Sequence, residues 1–176
     1  MMIGNYNMIE LSHCQVNSII ELSPEGRNTR FLRASDSLWK RFGNYEKQPP
    51  LGLEVNGQIV SIIFATFNKN LYTNLYEIVT MQGQEGNGYA SKIWDDYIDF
   101  AFNFKGSRRL KMSCTPSSVT WHKRNGLLFW AVDRTGSLRS DQVLFPTRNE
   151  QLQYQKFAIK NPTLALPPPK VSEQFR

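Results

Sequence analysis

Long apolar runs are absent from this sequence. No stretch approaches the ~20 residues that span a bilayer, so a transmembrane helix and a membrane partner are not expected. The opening residues, MMIGNYNMIELSHC, lack a basic region followed by an apolar one, so no signal peptide is expected and a cytoplasmic location is. Cysteine is scarce. Cys14 and Cys114 cannot build a disulfide framework, and without an export signal both read as free thiols. Histidine is equally scarce, and His13 and His122 with the two cysteines lack zinc-ligand spacing, so no metal is expected. Acidic residues are outnumbered, 15 against 21 basic ones, giving a formal charge of +6. That excess suits a polyanionic or phosphorylated partner, and equally suits a solubilising surface.

What is present is a foldable chain. Its 176 residues, 40% hydrophobic and 12% aromatic, suit one domain with a real core. Leu11 to Gly43 reads as helical, broken by Ser23-Pro24-Glu25-Gly26, with Val16, Ile19, Ile20 and Leu22 on the first apolar face. Phe31, Leu32, Leu38, Trp39 and Phe42 belong to the second helix, which ends near Gly43. Pro49-Pro50 opens an extended region. Leu51 to Val55 and Gln58 to Phe67 flank Asn56-Gly57, a type I′ hairpin signal.

Tyr72 to Met81 follows as a strand, Gln82 to Gly88 as a glycine loop, and Tyr89 to Phe104 as a helix ended by Gly106. Arg108 to Cys114 alternates as a strand. A short helix from Pro116-Ser117-Ser118 ends at Asn125-Gly126. Leu127 to Val132 and Asp141 to Phe145 read as strands. No element is assigned beyond Asn149, and the proline-rich end reads as irregular. The order makes a mixed α/β or α+β domain. The domain is expected over residues 1–149, with 150–176 as a C-terminal extension, flexible at its end.

The loop Gln84-Glu85-Gly86-Asn87-Gly88-Tyr89-Ala90 carries the chemistry. It joins a strand to a helix, its glycines let a phosphate approach the backbone, and the first helical amides are free to bind an anion. No Gly-Lys-Ser/Thr follows, so it is not a Walker A loop, and the dinucleotide-binding spacing is missing.

Glu85 to Ile93 resembles the acyl-CoA-binding motif of the GNAT N-acyltransferase superfamily, Arg/Gln-x-x-Gly-x-Gly/Ala. Gly88 and Ala90 match its two small positions. Glu85 departs from it, standing where the family has Arg or Gln. A shifted register offers Gln82 or Gln84 instead. Ser118 to Leu127 is similar to the family's later motif, with Trp121-His122 at the aromatic pair and Gly126-Leu127 at Gly-Phe. The resemblance covers roughly Leu51 to Phe145.

It implies a mixed, mostly antiparallel sheet with a splayed parallel strand pair, Tyr72–Met81 and Arg108–Cys114, flanked by helices. It also implies acetyl-CoA or another acyl-CoA as cofactor. Pantetheine would pair with main chain around Val79 to Met81, and pyrophosphate with amides of Glu85, Gly86, Asn87, Gly88, Tyr89 and Ala90. The acceptor amine attacks the thioester directly. Glu77 is the candidate base, against the alternative of a solvent-facing strand carboxylate. His122 stands where the family has a proton donor to the thiolate, against a surface histidine. Cys114 reads more simply as structural than as a nucleophile. Ser117 and Ser118 are open to cofactor contact or helix capping.

For the acceptor, the run from Phe104 to Gly126 is basic and free of acids, and holds Arg108, Arg109 and Trp121. The early helices add Arg27, Arg30, Arg33, Lys40 and Arg41, with Phe31 and Trp39 interleaved. That mixture suits an amine carried on nucleic acid, a modified base or an aminoacyl-tRNA. A protein or small-amine acceptor is the alternative. A catalytically inactive, nucleic-acid-binding module is the alternative of another class. The oligomeric state is not legible.

Overall fold

The computed structural model describes residues 4–163. Its elements run β1 (Tyr6–Glu10), α1 (His13–Leu22), α2 (Arg27–Arg41), α3 (Asn44–Lys47), β2 (Leu51–Val55), β3 (Gln58–Asn68), β4 (Tyr72–Thr80), α4 (Tyr89–Asp99), β5 (Arg109–Cys114), α5 (Val119–Arg124), β6 (Ala131–Val132), β7 (Leu138–Val143) and α6 (Arg148–Lys160). The seven strands form one mixed sheet in the order β1-β2-β3-β4-β5-β7-β6. β4 pairs with β5 in parallel, from Tyr72↔Arg109 to Leu75↔Met112. β1–β2, β2–β3, β5–β7 and β6–β7 are antiparallel. This is the expected fold class: helices on a largely antiparallel sheet with one parallel pair.

The chain divides into two compact units. The first holds the described residues up to Thr66 together with Tyr76–Tyr97. The second holds Phe67–Leu75 and the described residues from Ile98 onward.

In the first unit, Ser12 caps α1 through a reciprocal pair. Gln15 N donates to Ser12 Oγ at 3.1 Å, and Ser12 N donates to Gln15 Oε1 at 2.8 Å. α1 and α2 bury Val16, Ile20, Leu32 and Trp39 against Ile62 and Phe64 of β3 and Val79 of β4, with Leu11 and Met81. Asn56 (φ 50°) and Gly57 (φ 80°) turn the β2–β3 hairpin, with Val55 opposite Gln58, as the Asn-Gly signal requires.

In the second unit, α4 is continued by a π-helical turn over Phe100–Phe104, where Lys105 N donates to Phe100 O. Gly106 (φ 71°) ends it. Three features differ from the sequence reading. β1 has no counterpart in it. Leu127 to Val132 is strand only at Ala131–Val132, because side chains take the main-chain groups before it. Leu128 N donates to Gln142 Oε1 at 2.7 Å, and Gln155 Nε2 donates to Leu127 O at 2.8 Å. α6 crosses the expected boundary at 149/150. Thr147 caps it, and its buried Gln151 accepts from Phe145 N and donates to Val143 O. The proline-rich end lies outside the described residues.

Candidate active site

On β4, Tyr76 stacks edge-on against Trp39, with centroids 5.3 Å apart, and Val79 belongs to the same buried cluster as Trp39. The Ile78 amide donates to the Glu77 carboxylate. Glu77 lines a cavity of about 300 Å³ with Arg27, Asn28, Phe31, Ile78, Val79, Thr80 and Glu85. Glu77 is half-buried. Burial lifts its pKa above the ordinary carboxylate value, and the Ile78 amide pulls the other way.

The opposite wall is the start of α2. Gly26 offers no side-chain cap, so the cap comes from far along the chain: Asn28 N donates to Gln82 Oε1 at 2.9 Å. A Cβ on Gly26 would stand 2.3 Å from that same Oε1. The Asn28 carboxamide donates to Thr80 O at 2.9 Å and to Glu85 Oε1 at 2.8 Å. Asn28 thus ties α2 to the end of β4 and to the middle of the β4–α4 loop. The Arg27 guanidinium lies 5.3 Å from the centroid of the Phe31 ring.

The loop turns on three left-handed glycines, Gly83 (φ 86°), Gly86 (φ 82°) and Gly88 (φ 76°). Nothing stands within 4 Å of the position a Cβ would take on Gly86. Asn87 Nδ2 donates to Gln84 O at 3.0 Å, closing the loop on itself. Lys92 N donates to Gly88 O at 3.0 Å, so Gly88 opens the α4 turn. The amides of Gly88, Tyr89 and Ala90 stand at the helix start, where helical geometry supplies no carbonyl for them. Open backbone with unused donors at a positive helix end fits a pyrophosphate. Val79 O accepts from Ser61 Oγ at 3.1 Å and Met81 N donates to Val60 O at 2.9 Å, so the main chain of both faces β3.

No family model matches the sequence, and no curated protein is similar to it. Solved structures do match. The PaiA N-acetyltransferase of Thermoplasma acidophilum, in complex with coenzyme A, superposes with a TM-score of 0.61 at 11% identity, over 79% of this chain and 99% of its own. An acetyltransferase from Thermus thermophilus gives 0.61 at 12% identity, over 82% and 100%. A bacterial toxin gives 0.60 at 10% identity, over 90% and 97%. The chain has the GNAT fold.

On that GNAT fold the remaining expected residues lie as follows. His122, on α5 in the second unit, is 8% exposed, between the rings of Trp121 (4.9 Å) and Phe129 (6.4 Å). Burial pushes its pKa down to about 4. It is not a surface histidine. Cys114 is buried, and burial pushes its thiol up against the opposing pull of Ser118 and Lys123. Ser117 and Ser118 bond Thr115, with Ser118 Oγ donating to Thr115 O at 3.1 Å, and neither side chain caps α5.

The expected acceptor arginines are largely engaged. Arg33 pairs with Glu25 at 2.9 Å. Arg108 donates to Phe102 O and Ser107 O, both at 2.9 Å, with its guanidinium 3.8 Å from the Phe102 centroid. Arg109 is ion-paired with Asp141 of β7. Arg30 is exposed on α2, and Trp121 is half-buried. Sequence reasoning placed Arg27 and Phe31 only among the basic and aromatic residues of the early helices, and missed Asn28 as a site residue. The one signal was Gly26, a poor cap at a helix start, which requires a cap from elsewhere.

Proposed function

We propose that this protein is an acyl-CoA-dependent N-acyltransferase acting on an amine. The observation that carries the reading is that a half-buried carboxylate with a raised pKa and an open, anion-receptive glycine loop border the same stretch of β4 within one compact unit. The GNAT fold, seen also in a coenzyme A complex of PaiA, supports it.

In this reading the amides of Gly86 to Ala90 hold the cofactor's pyrophosphate, and β4 around Ile78 and Thr80 pairs with the pantetheine arm. Val79 and Met81 keep that stretch in place by bonding to β3. Bound acyl-CoA supplies an activated acyl carbon. Glu77 takes one proton of the acceptor ammonium, the freed nitrogen forms the C–N bond, the C–S bond breaks, and the second proton lost by that nitrogen passes through solvent to the departing thiolate. A base with a pKa nearer neutrality than an ordinary carboxylate is better matched to that task. His122 packs the core of the second unit in this scheme.

The engagement of Arg33, Arg108 and Arg109 supports an acceptor held by the cavity itself over one held by phosphodiesters. The presence of both the base and the loop speaks against the inactive-module alternative.

Calorimetry with acetyl-CoA tests the reading. Micromolar binding is expected for the native protein. Gly88→Val places a β-branched side chain at a positive φ in the phosphate loop and should abolish binding. Unchanged affinity in a folded Gly88→Val protein removes the loop from the site.

A further inference from the structure

Charges of both signs line one cavity without meeting. Arg27, Glu77 and Glu85 share the pocket, and among the described residues none of the three forms an ion pair. Their neighbour Arg33 on the same helix does, with Glu25. Arg27 lies over the Phe31 ring instead, Glu85 is held by Asn28, and Glu77 by the Ile78 amide. Glu85 stands where the GNAT motif places a cofactor-binding Arg or Gln. The Asn28 bond draws its carboxylate off the phosphate loop and into the pocket wall. Opposite charges held apart around an open space are best satisfied by a ligand carrying both signs. Phe31, Ile78 and Val79 give the same pocket an apolar side.

We propose that the acceptor is a small zwitterionic amine, a free α-amino acid being the simplest, with its ammonium directed to Glu77 and Glu85 and its carboxylate to Arg27. The inference rests on the acyltransferase reading above and names its substrate class. Glu77 removes one ammonium proton, the nitrogen bonds the acyl carbon as the C–S bond breaks, and the products are an N-acyl amino acid and the free thiol. The product has lost its positive charge, so the two carboxylates no longer favour it and it leaves.

The test is turnover of acetyl-CoA against the standard amino acids and, for the best of them, against its decarboxylated amine. Acetyl-CoA affinity is measured in parallel by calorimetry. The amino acid is expected to exceed its decarboxylated partner at least about tenfold in kcat/KM, the scale of one charge-assisted hydrogen bond. Arg27→Gln should erase that preference by raising KM for the amino acid, with acetyl-CoA affinity unchanged. Arg27 is exposed, so the variant should melt like the parent. Glu85→Gln should raise KM for both compounds. Equal use of amine and amino acid, a preference that survives Arg27→Gln, or no turnover of any amino acid while acetyl-CoA binds overturns the inference and leaves the acyltransferase reading standing. Failure to bind acetyl-CoA overturns both.

Discussion

Burial moves Glu77 and His122 in opposite directions, and each shift has its own consequence for stability. Glu77 is held above the ordinary carboxylate value, so the folded state binds its proton more tightly than the unfolded state does. Its contribution to stability is therefore greatest at low pH and falls as pH rises through the raised value, beyond which the buried charge is a cost. Glu77→Gln should lower kcat by about 10²- to 10⁴-fold, the range for a lost general base, and leave the protein no less stable at pH 8. The acid limb of the native kcat/KM profile should lie above the ordinary carboxylate range and vanish in the variant. A melting curve and a pH–rate profile on the same sample check both halves. His122 has the opposite sign. Its folded value of about 4 lies below the ordinary 6.5, so the unfolded chain protonates first. Stability should hold above pH 6.5 and drop by about 3 kcal/mol on going to pH 4. Urea titrations across that window should show the slope, and His122→Phe should flatten it.

At the scale of elements, the cap of α2 shows how separated segments depend on one another. Gly26 has an extended φ of 167°, which any residue adopts, so its role is one of space and not of backbone freedom. Gly26→Ala pushes the Gln82 carboxamide off the Asn28 amide and should cost about 1 kcal/mol, the value of a helix cap. Gln82→Ala should cost a similar amount, and the double variant should cost less than the sum of the two, since both remove one interaction. Chemical denaturation of the four proteins measures the coupling, and full additivity would assign Gly26 another role. The same elements explain what the sequence made legible. The helix break at Ser23–Gly26, the Asn-Gly hairpin and the strand–loop–helix at Gly88 are written in local chemistry, and the chain follows them. α6 was hidden because it meets its unit through the carboxamides of Gln151 and Gln155 together with only a small apolar cluster at Tyr154 and Ala158, too sparse to read as a stripe. Leu127 to Val132 misled for the complementary reason: its apolar start at Leu127 and Leu128 is buried, but Gln142 and Gln155 take the main-chain groups there. β1 is short and half-exposed, with no alternation to read. The cavity wall at Asn28 depends on partners more than fifty residues away, and no spacing rule reaches that far.

The whole molecule carries an excess of six positive charges, and their placement bears on what the protein binds. The basic run from Phe104 to Gly126 contains no acid, yet folding supplies partners for most of its cations. Asp141 of β7 meets Arg109. Lys105 lies over the rings of Phe67, Phe100 and Phe104, at 5.4, 5.6 and 5.7 Å. Lys111 stands 4.2 Å from the centroid of the Tyr72 ring, and Arg108 closes the π-helical turn. A cation already committed to an anion or an aromatic face gives up that contact to bind a phosphate, so it contributes less than a free one. Six free phosphate contacts on duplex DNA would give a slope of about −5 in log K against log salt. With these four engaged, the slope should be much shallower, and binding to duplex, single-stranded and transfer RNA should be weak even in low salt. Filter binding across a salt series measures it. Charge reversal at Arg30, exposed on α2 and outside the cavity wall, separates the two cases further. It should leave amino-acid turnover unchanged if the cavity alone selects the acceptor. A steep slope with tight binding, lost on reversal at Arg30, would instead return the acceptor to a nucleic acid and make α2 its docking helix.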